Sequence, residues 1–189
     1  MAIAIETGRD VVTFLKGQHQ QIKELFSEVR VTNGEQRKRA FTELRRLLAM
    51  HETAEEEIVH PAARKRLPQG ESLVNARLQE ENKAKKELSA LEELDADSPE
   101  FNARLGSLAM DVVAHAEAEE RQEFEPLALS LDAEQLVKLR RAVELAERFA
   151  PTRPHPGIEA QAANLLVGPF AAMVDRARDL LTGKSTSNP

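Results

Sequence analysis

His51-Glu52-Thr53-Ala54-Glu55-Glu56 and His115-Ala116-Glu117-Ala118-Glu119-Glu120 are two copies of one phrase, His-x-x-x-Glu-Glu. Residues four apart share a face of an α-helix. Each phrase therefore aims an imidazole and a carboxylate in one direction. Each sits among apolar residues at helical spacing, and each is followed by a proline, Pro61 and Pro126. Two such helices facing each other bring two imidazoles and two carboxylates to one point, which is the donor set of a metal site.

Helical periodicity dominates the rest of the chain. A first helix is expected over about residues 10–30, with Leu15, Ile22, Leu25, Phe26 and Val29 on its apolar side. Thr32-Asn33-Gly34 is a turn. A second helix spans about 35–66, and Pro61 inside it should kink it or end its regular part. A third covers about 71–94. Ser98 and Pro99 form the N-cap and first position of a fourth, which runs to about 129. Four helices with short connections predict an all-α, up-down-up-down bundle over residues 8–130. Residues 131–182 are expected to add two C-terminal helices packed on the bundle. The first, capped by Asp132, runs to Phe149. A Pro-rich loop holding His155 precedes the second, which follows Gly168-Pro169. Residues 183–189 read as a disordered tail.

The bulk composition narrows the chemistry. With 189 residues the chain is long enough for a domain with a real core. The net charge of −6 argues against sequence-independent nucleic-acid binding. There is no Cys, Tyr or Trp, which excludes disulfides, thiolate ligands and tyrosine-based iron chemistry. No apolar run reaches membrane-spanning length, and no secretory signal is visible. A cytoplasmic protein without membrane association is the expectation. Gly-rich phosphate loops and Ser-centred elbows are absent, and the two phrases supply too many carboxylates for a catalytic zinc site.

The ligand-type residues point inward. On a regular helix the stripe of Leu44, Leu47, Leu48 and Ile58 lies within about 40° of His51 and Glu55. Leu105, Leu108 and Val112 point the same way as His115 and Glu119. Leu15, Ile22 and Phe26 bracket His19. In the third helix the apolar centre falls between Glu80 and Glu81, so either can face the interior. Glu56, Glu57, Glu120 and Glu123 read as solvated helix faces. Without a cation, so many interior His and Glu side chains would leave buried polar groups unsatisfied.

These residues resemble the hemerythrin family in its bacterial HHE cation-binding form. The resemblance rests on Lys16-Gly-Gln-His19-Gln-Gln-Ile22, on His51-x-x-x-Glu55-Glu56 with Pro61, and on His115-x-x-x-Glu119-Glu120 with Pro126, and it covers roughly residues 8 to 130. The whole chain is similar to actinobacterial proteins of that group. The resemblance implies a four-helix bundle holding two iron ions joined by an oxo or hydroxo bridge, with manganese as an alternative. Bridging carboxylates would fall on Glu55 and Glu119. Terminal imidazoles would be His19 and His51 for one iron and His115 for the other. Where the family places a third-helix His, this chain has Glu81, identified by Leu88, Leu91 and Leu94 at the family's offsets. Four residues on stands Lys85.

The exchange of His for Glu81 makes the set more anionic and oxygen-rich than that of the oxygen carriers. It moves toward the carboxylate di-iron sites of ferritin-like bundles, and carboxylates favour harder, more oxidised iron. The expectation is turnover of O2, peroxide or nitric oxide, with catalase-like disproportionation of hydrogen peroxide as the enzymatic version. Lys85 reads either as a charge or proton donor beside the metal or as a surface lysine. Rival functions are an O2-, nitric oxide- or iron-sensing module without turnover, iron handling, and a metal-free helical interaction module. A monomer or weak homodimer with an unknown redox partner is expected.

His60 has three readings. It lies about 165° from its helix's apolar stripe, so it packs under the C-terminal helices, orients Glu56, or joins the ligands if Pro61 bends it inward. Glu56 and Glu80 are further candidate ligands.

Overall fold

A computed structural model of the chain describes residues 10–150. The expected loop around His155, the helix after Gly168-Pro169 and the tail from Gly183 lie outside them. The described residues form helix α1 (Val11–Val31), α2 (Gly34–Ala54), a π turn, π1 (Glu55–Val59), α3 (His60–Arg66), α4 (Gly70–Glu92), α5 (Pro99–Glu119), a second π turn, π2 (Glu120–Phe124), α6 (Glu125–Ser130) and α7 (Ala133–Phe149). The four rods of the bundle are α1, α2–π1–α3, α4 and α5–π2–α6. Helix α7 packs on α1, α2 and π1. None of these helices is long and apolar enough to cross a membrane.

Local chemistry sets the helix ends. Asp10 caps α1 by accepting from the Thr13 N–H at 2.9 Å. Ser98 caps α5 by accepting from the Phe101 N–H at 3.1 Å, and Pro99 occupies the first turn. Asp132 and Gln135 close a capping box on α7. Gly34 sits at φ +53°, which suits a residue without Cβ. Gly70 is required for space, because a Cβ there would lie 2.5 Å from the Ala63 carbonyl oxygen.

Pro61 and Pro126 lie inside continuous helical rods; at Pro61, where a kink or an end to the regular part is expected, the regular α-helix gives way to π1 just before the proline. Proline has no N–H to give the carbonyl four residues back, and its ring crowds that carbonyl. Here the preceding turn widens instead. The His60 N–H donates to the Glu55 carbonyl and the Glu125 N–H to the Glu120 carbonyl, each five residues back. Accommodating one extra residue turns everything downstream by about 100°. That rotation brings His60, placed outside by the straight-helix reading, into the interior at 2% exposure. It also overturns the solvated-face reading of the Glu runs. Glu57 and Glu123 are buried, and Glu56 and Glu120 are half-buried.

The apolar core is in two parts. One gathers Val11, Leu15, Ile58, Val59, Phe124, Leu127, Leu139 and Val143 around the α7 end. The other gathers Ile22, Phe26, Leu44, Leu48, Leu88, Phe101, Leu105 and Leu108 at the far end. Between them, at the level of His19, His51, Glu81 and Glu119, runs a buried polar layer.

Candidate metal centre

Four histidines converge on this layer, from α1, α2, α3 and α5. Each offers Nδ1 to one partner and Nε2 to a carboxylate; the Nδ1 partner of His60, Glu123, is itself fully buried. His19 places Nδ1 2.9 Å from Glu120 Oε1 and Nε2 3.4 Å from Glu119 Oε2. His51 places Nδ1 2.9 Å from Gln18 Oε1 and Nε2 3.3 Å from Glu55 Oε2. His115 places Nδ1 2.8 Å from Glu80 Oε2 and Nε2 3.1 Å from Glu119 Oε1. His60 places Nδ1 2.8 Å from Glu123 Oε1 and Nε2 2.7 Å from Glu81 Oε1. Nδ1 bonds of this kind fix ring orientation and tautomer in metal-binding histidines. The His19 ring is also stacked on Phe124, with centroids 5.5 Å apart.

Three sets of ligand atoms lie within 4.8 Å of one another: His19, His51, Glu55 and Glu119; Glu81, His115 and Glu119; and His60, Glu119 and Glu123. Glu119 belongs to all three, so its two oxygens face two neighbouring positions. Of the paired glutamates on α4, Glu81 is the inward one. Glu80 lies at the rim, held by His115 and by Arg77 at 3.0 Å. Glu56 turns to Lys85. Lys85 is not the snorkelling surface residue of one sequence reading: its Nζ pairs with Glu56 and lies 3.8 Å from both Glu52 and Glu81.

The residues fit a cation on one further observation. Both carboxylate oxygens of Glu55 and of Glu119, Glu81 Oε2, His19 Nε2 and His115 Nε2 are buried without a hydrogen-bond partner. Orphaned buried groups of this kind are costly, and a metal ion satisfies them together.

Protonation follows the same geometry. Burial, reinforced by Glu119, holds the Glu55 carboxyl well above its usual range. Burial and the neighbouring His19 hold His51 well below the ordinary histidine value. Burial pushes Glu119 up, but His115 and His19 outweigh it and leave that carboxyl well below the usual range. Burial pushes His115 and His60 down, but the carboxylates of Glu119 and Glu80, and of Glu123 and Glu81, raise them well above it. Burial lifts Glu52 to about 8 and Glu56, beside Glu81, to about 7. The metal-free layer thus holds protons that a cation would displace.

A cavity of about 190 Å³ opens onto the layer, lined by His19, His51, Glu81 and His115 together with Leu48 and Val112. Its lining is mostly apolar, and it has room for a few small molecules.

Sequence reasoning missed the Nδ1 partners Gln18, Glu120 and Glu123 and the buried Glu52. The two His-Pro and Glu-Pro junctions, His60-Pro61 and Glu125-Pro126, were the signal for a widened turn and thus for a changed face.

The sequence pattern of the hemerythrin HHE cation binding domain matches residues 10–127. A DNA nickase of Nostoc sp. is 28% identical over 118 residues, which are 62% of this chain and 33% of that protein. The chain therefore spans about a third of the length of this curated relative. The crystal structure of a hemerythrin HHE cation binding domain-containing protein from Mycobacterium kansasii is similar with a TM-score of 0.65 and 23% identity, covering 89% of this chain and 98% of that one. At that identity the likeness concerns the fold.

Proposed function

This chain belongs to the hemerythrin HHE cation-binding domain family, and from that premise we propose that its polar layer holds two iron ions and turns over a small oxygen species, with hydrogen peroxide disproportionated to water and dioxygen. The observation that carries this reading is the convergence of buried donors in two groups that share Glu119, His19, His51, Glu55 and Glu119 in one and Glu81, His115 and Glu119 in the other, with His60 beside both Glu81 and Glu123. In this reading His19, His51, Glu55 and Glu119 hold one ion, and Glu81, His115 and Glu119 hold the other. His60 joins the second position in place of the third-helix histidine that Glu81 replaces. A bound iron pair would supply the electron exchange with the oxygen species.

The chain's own residues do the rest. The apolar lining of the cavity favours small uncharged molecules over ions. Glu119 sets the spacing of the two positions. Lys85, raised by Glu52, Glu56 and Glu81 against the effect of burial, keeps a positive charge beside Glu81 and offsets the surplus of carboxylates. Manganese is the alternative occupant, since carboxylate-rich sets accept it.

Among the described residues the exposed large apolar side chains, Val31, Met110, Leu129 and Phe149, lie on four different helices. That scatter supports a monomer or weak homodimer; a separate redox partner would be needed only for O2 or nitric oxide turnover, since peroxide disproportionation balances its own electrons. The net charge of −6 gives no electrostatic support for carrying the nickase description over. A second reading, a sensor without turnover, is favoured by the packing of α7 against π1. Elemental analysis and oxygen evolution separate the readings. Two irons per chain with oxygen release from added peroxide support the first. Two irons without oxygen release support the second. A zinc-only or metal-free protein from iron-rich cells overturns both.

A further inference from the structure

Three of the four described histidines turn Nδ1 to a carboxylate, Glu120, Glu123 or Glu80. His51 is the exception, with Nδ1 2.9 Å from Gln18 Oε1. The difference matters chemically. An ionised carboxylate only accepts, so it holds a proton on Nδ1 whether the ring is neutral or charged. An amide offers an acceptor at one end and a donor at the other, so Gln18 alone does not fix the proton of His51. The other end of Gln18 meets Glu147 on α7: its Nε2 donates to Glu147 Oε1 at 2.5 Å, a carboxyl that burial raises and that only accepts when ionised. With Gln18 reversed, its oxygen would face the Glu147 carboxylate and its NH2 would face Nδ1. That puts the imidazole proton on Nε2, where it points at Glu55 and the layer.

We propose that Glu147 is a positioning residue for His51, holding the buried Gln18 amide in the one orientation that leaves Nε2 unprotonated toward the layer. Three histidines receive this control directly from the bundle. His51 receives it at one remove, from the appended helix. Helix α7 thereby takes part in the centre without contributing a ligand. The proposal rests on the reading of His51 as a ligand through Nε2, but its first test needs no metal.

In 15N-labelled metal-free protein, long-range proton–nitrogen correlation is expected to show His51 with its proton on Nδ1. Glu147→Gln keeps the shape but removes the acceptor-only end, and is expected to give a mixed or inverted tautomer. The exchange variant Gln18→Glu/Glu147→Gln places an acceptor-only carboxylate directly on His51 and is expected to restore the Nδ1 proton. On loading, E147Q should bind iron about 10-fold more weakly than wild type, and the exchange variant should recover that loss. A wild-type His51 carrying its proton on Nε2 overturns the proposal even if no variant folds. So does an unchanged tautomer in E147Q. If the tautomers behave as stated but wild-type protein takes up no metal, the relay stands and the reading of the layer as a metal centre falls.

Discussion

His60 Nε2 lies 2.7 Å from Glu81 Oε1, although a regular helix would turn His60 away from the interior. The contact exists because π1 precedes Pro61 and rotates α3. The same imidazole reaches Glu123 through Nδ1, and Glu123 is itself buried within π2. One histidine therefore joins α4 to both widened turns.

Replacing His60 with Leu leaves Glu81 and Glu123 buried without their shared partner. The expected loss is about 3–5 kcal/mol of metal-free stability, the usual cost of removing one member of a buried ion pair. Denaturant melts check this. A loss below about 0.5 kcal/mol, the range of surface substitutions, would rule out His60 as a buried ion-pair partner.

Pro61→Ala restores an N–H and removes the ring, so the turn no longer has a local reason to widen. Stability of the metal-free protein should fall in the same direction as in the His60 variant, by up to about 3–5 kcal/mol, since Glu81 and Glu123 lose that partner. Iron affinity should fall roughly 10-fold or more, as when a ligand's orientation is disturbed, because His60 would no longer be held at Glu81. Chelator competition beside a thermal melt separates the two effects.

Glu119→Gln removes the carboxylate common to all three ligand sets. Metal content is expected to drop below one ion per chain, whereas Glu117→Gln, on the exposed side of the same helix, should leave it unchanged. Elemental analysis of the two variants purified side by side is the check.

Metal uptake should strengthen with pH. His60 and His115 are raised above the ordinary histidine value and Glu55 above the ordinary carboxylate value, so each holds a proton that an incoming ion displaces. Proton release on loading should therefore persist above the ordinary histidine range and fall off only as pH rises past the raised values, as read by calorimetry in buffers of different ionisation heat. The metal-free protein shows the complementary trend. The stabilisation from His60, whose folded value is raised, is complete below the unfolded histidine value and is lost as pH rises through the folded one.

The fold was legible because the amphipathic helices, the Ser98-Pro99 start and the Asp132 cap are local signals. The inward placement of His51, Glu55, His115 and Glu119 was legible because they lie upstream of, or at the edge of, the widened turns, where regular helical spacing still holds. Beyond Glu56 and Glu120 that spacing still placed Ile58 and Phe124 inward but failed for the polar residues. Angular bookkeeping at about 100° per residue carries no record of an inserted residue, so His60, Glu57 and Glu123 were turned outward. Gln18 was overlooked for another reason: an amide acquires its role only from Glu147, more than a hundred positions away.

The division of the apolar core has a consequence for cooperativity. The α7 end and the far end each have their own hydrophobic cluster, and they meet across a layer crowded with protons and orphaned oxygens. Apolar contact cannot transmit stability through such a seam; ionic contact through a bound cation can. With metal the bundle should melt as one unit. Without it, the halves become separate foldons, and hydrogen exchange should show the α7 end opening at a different free energy from the Phe101 end.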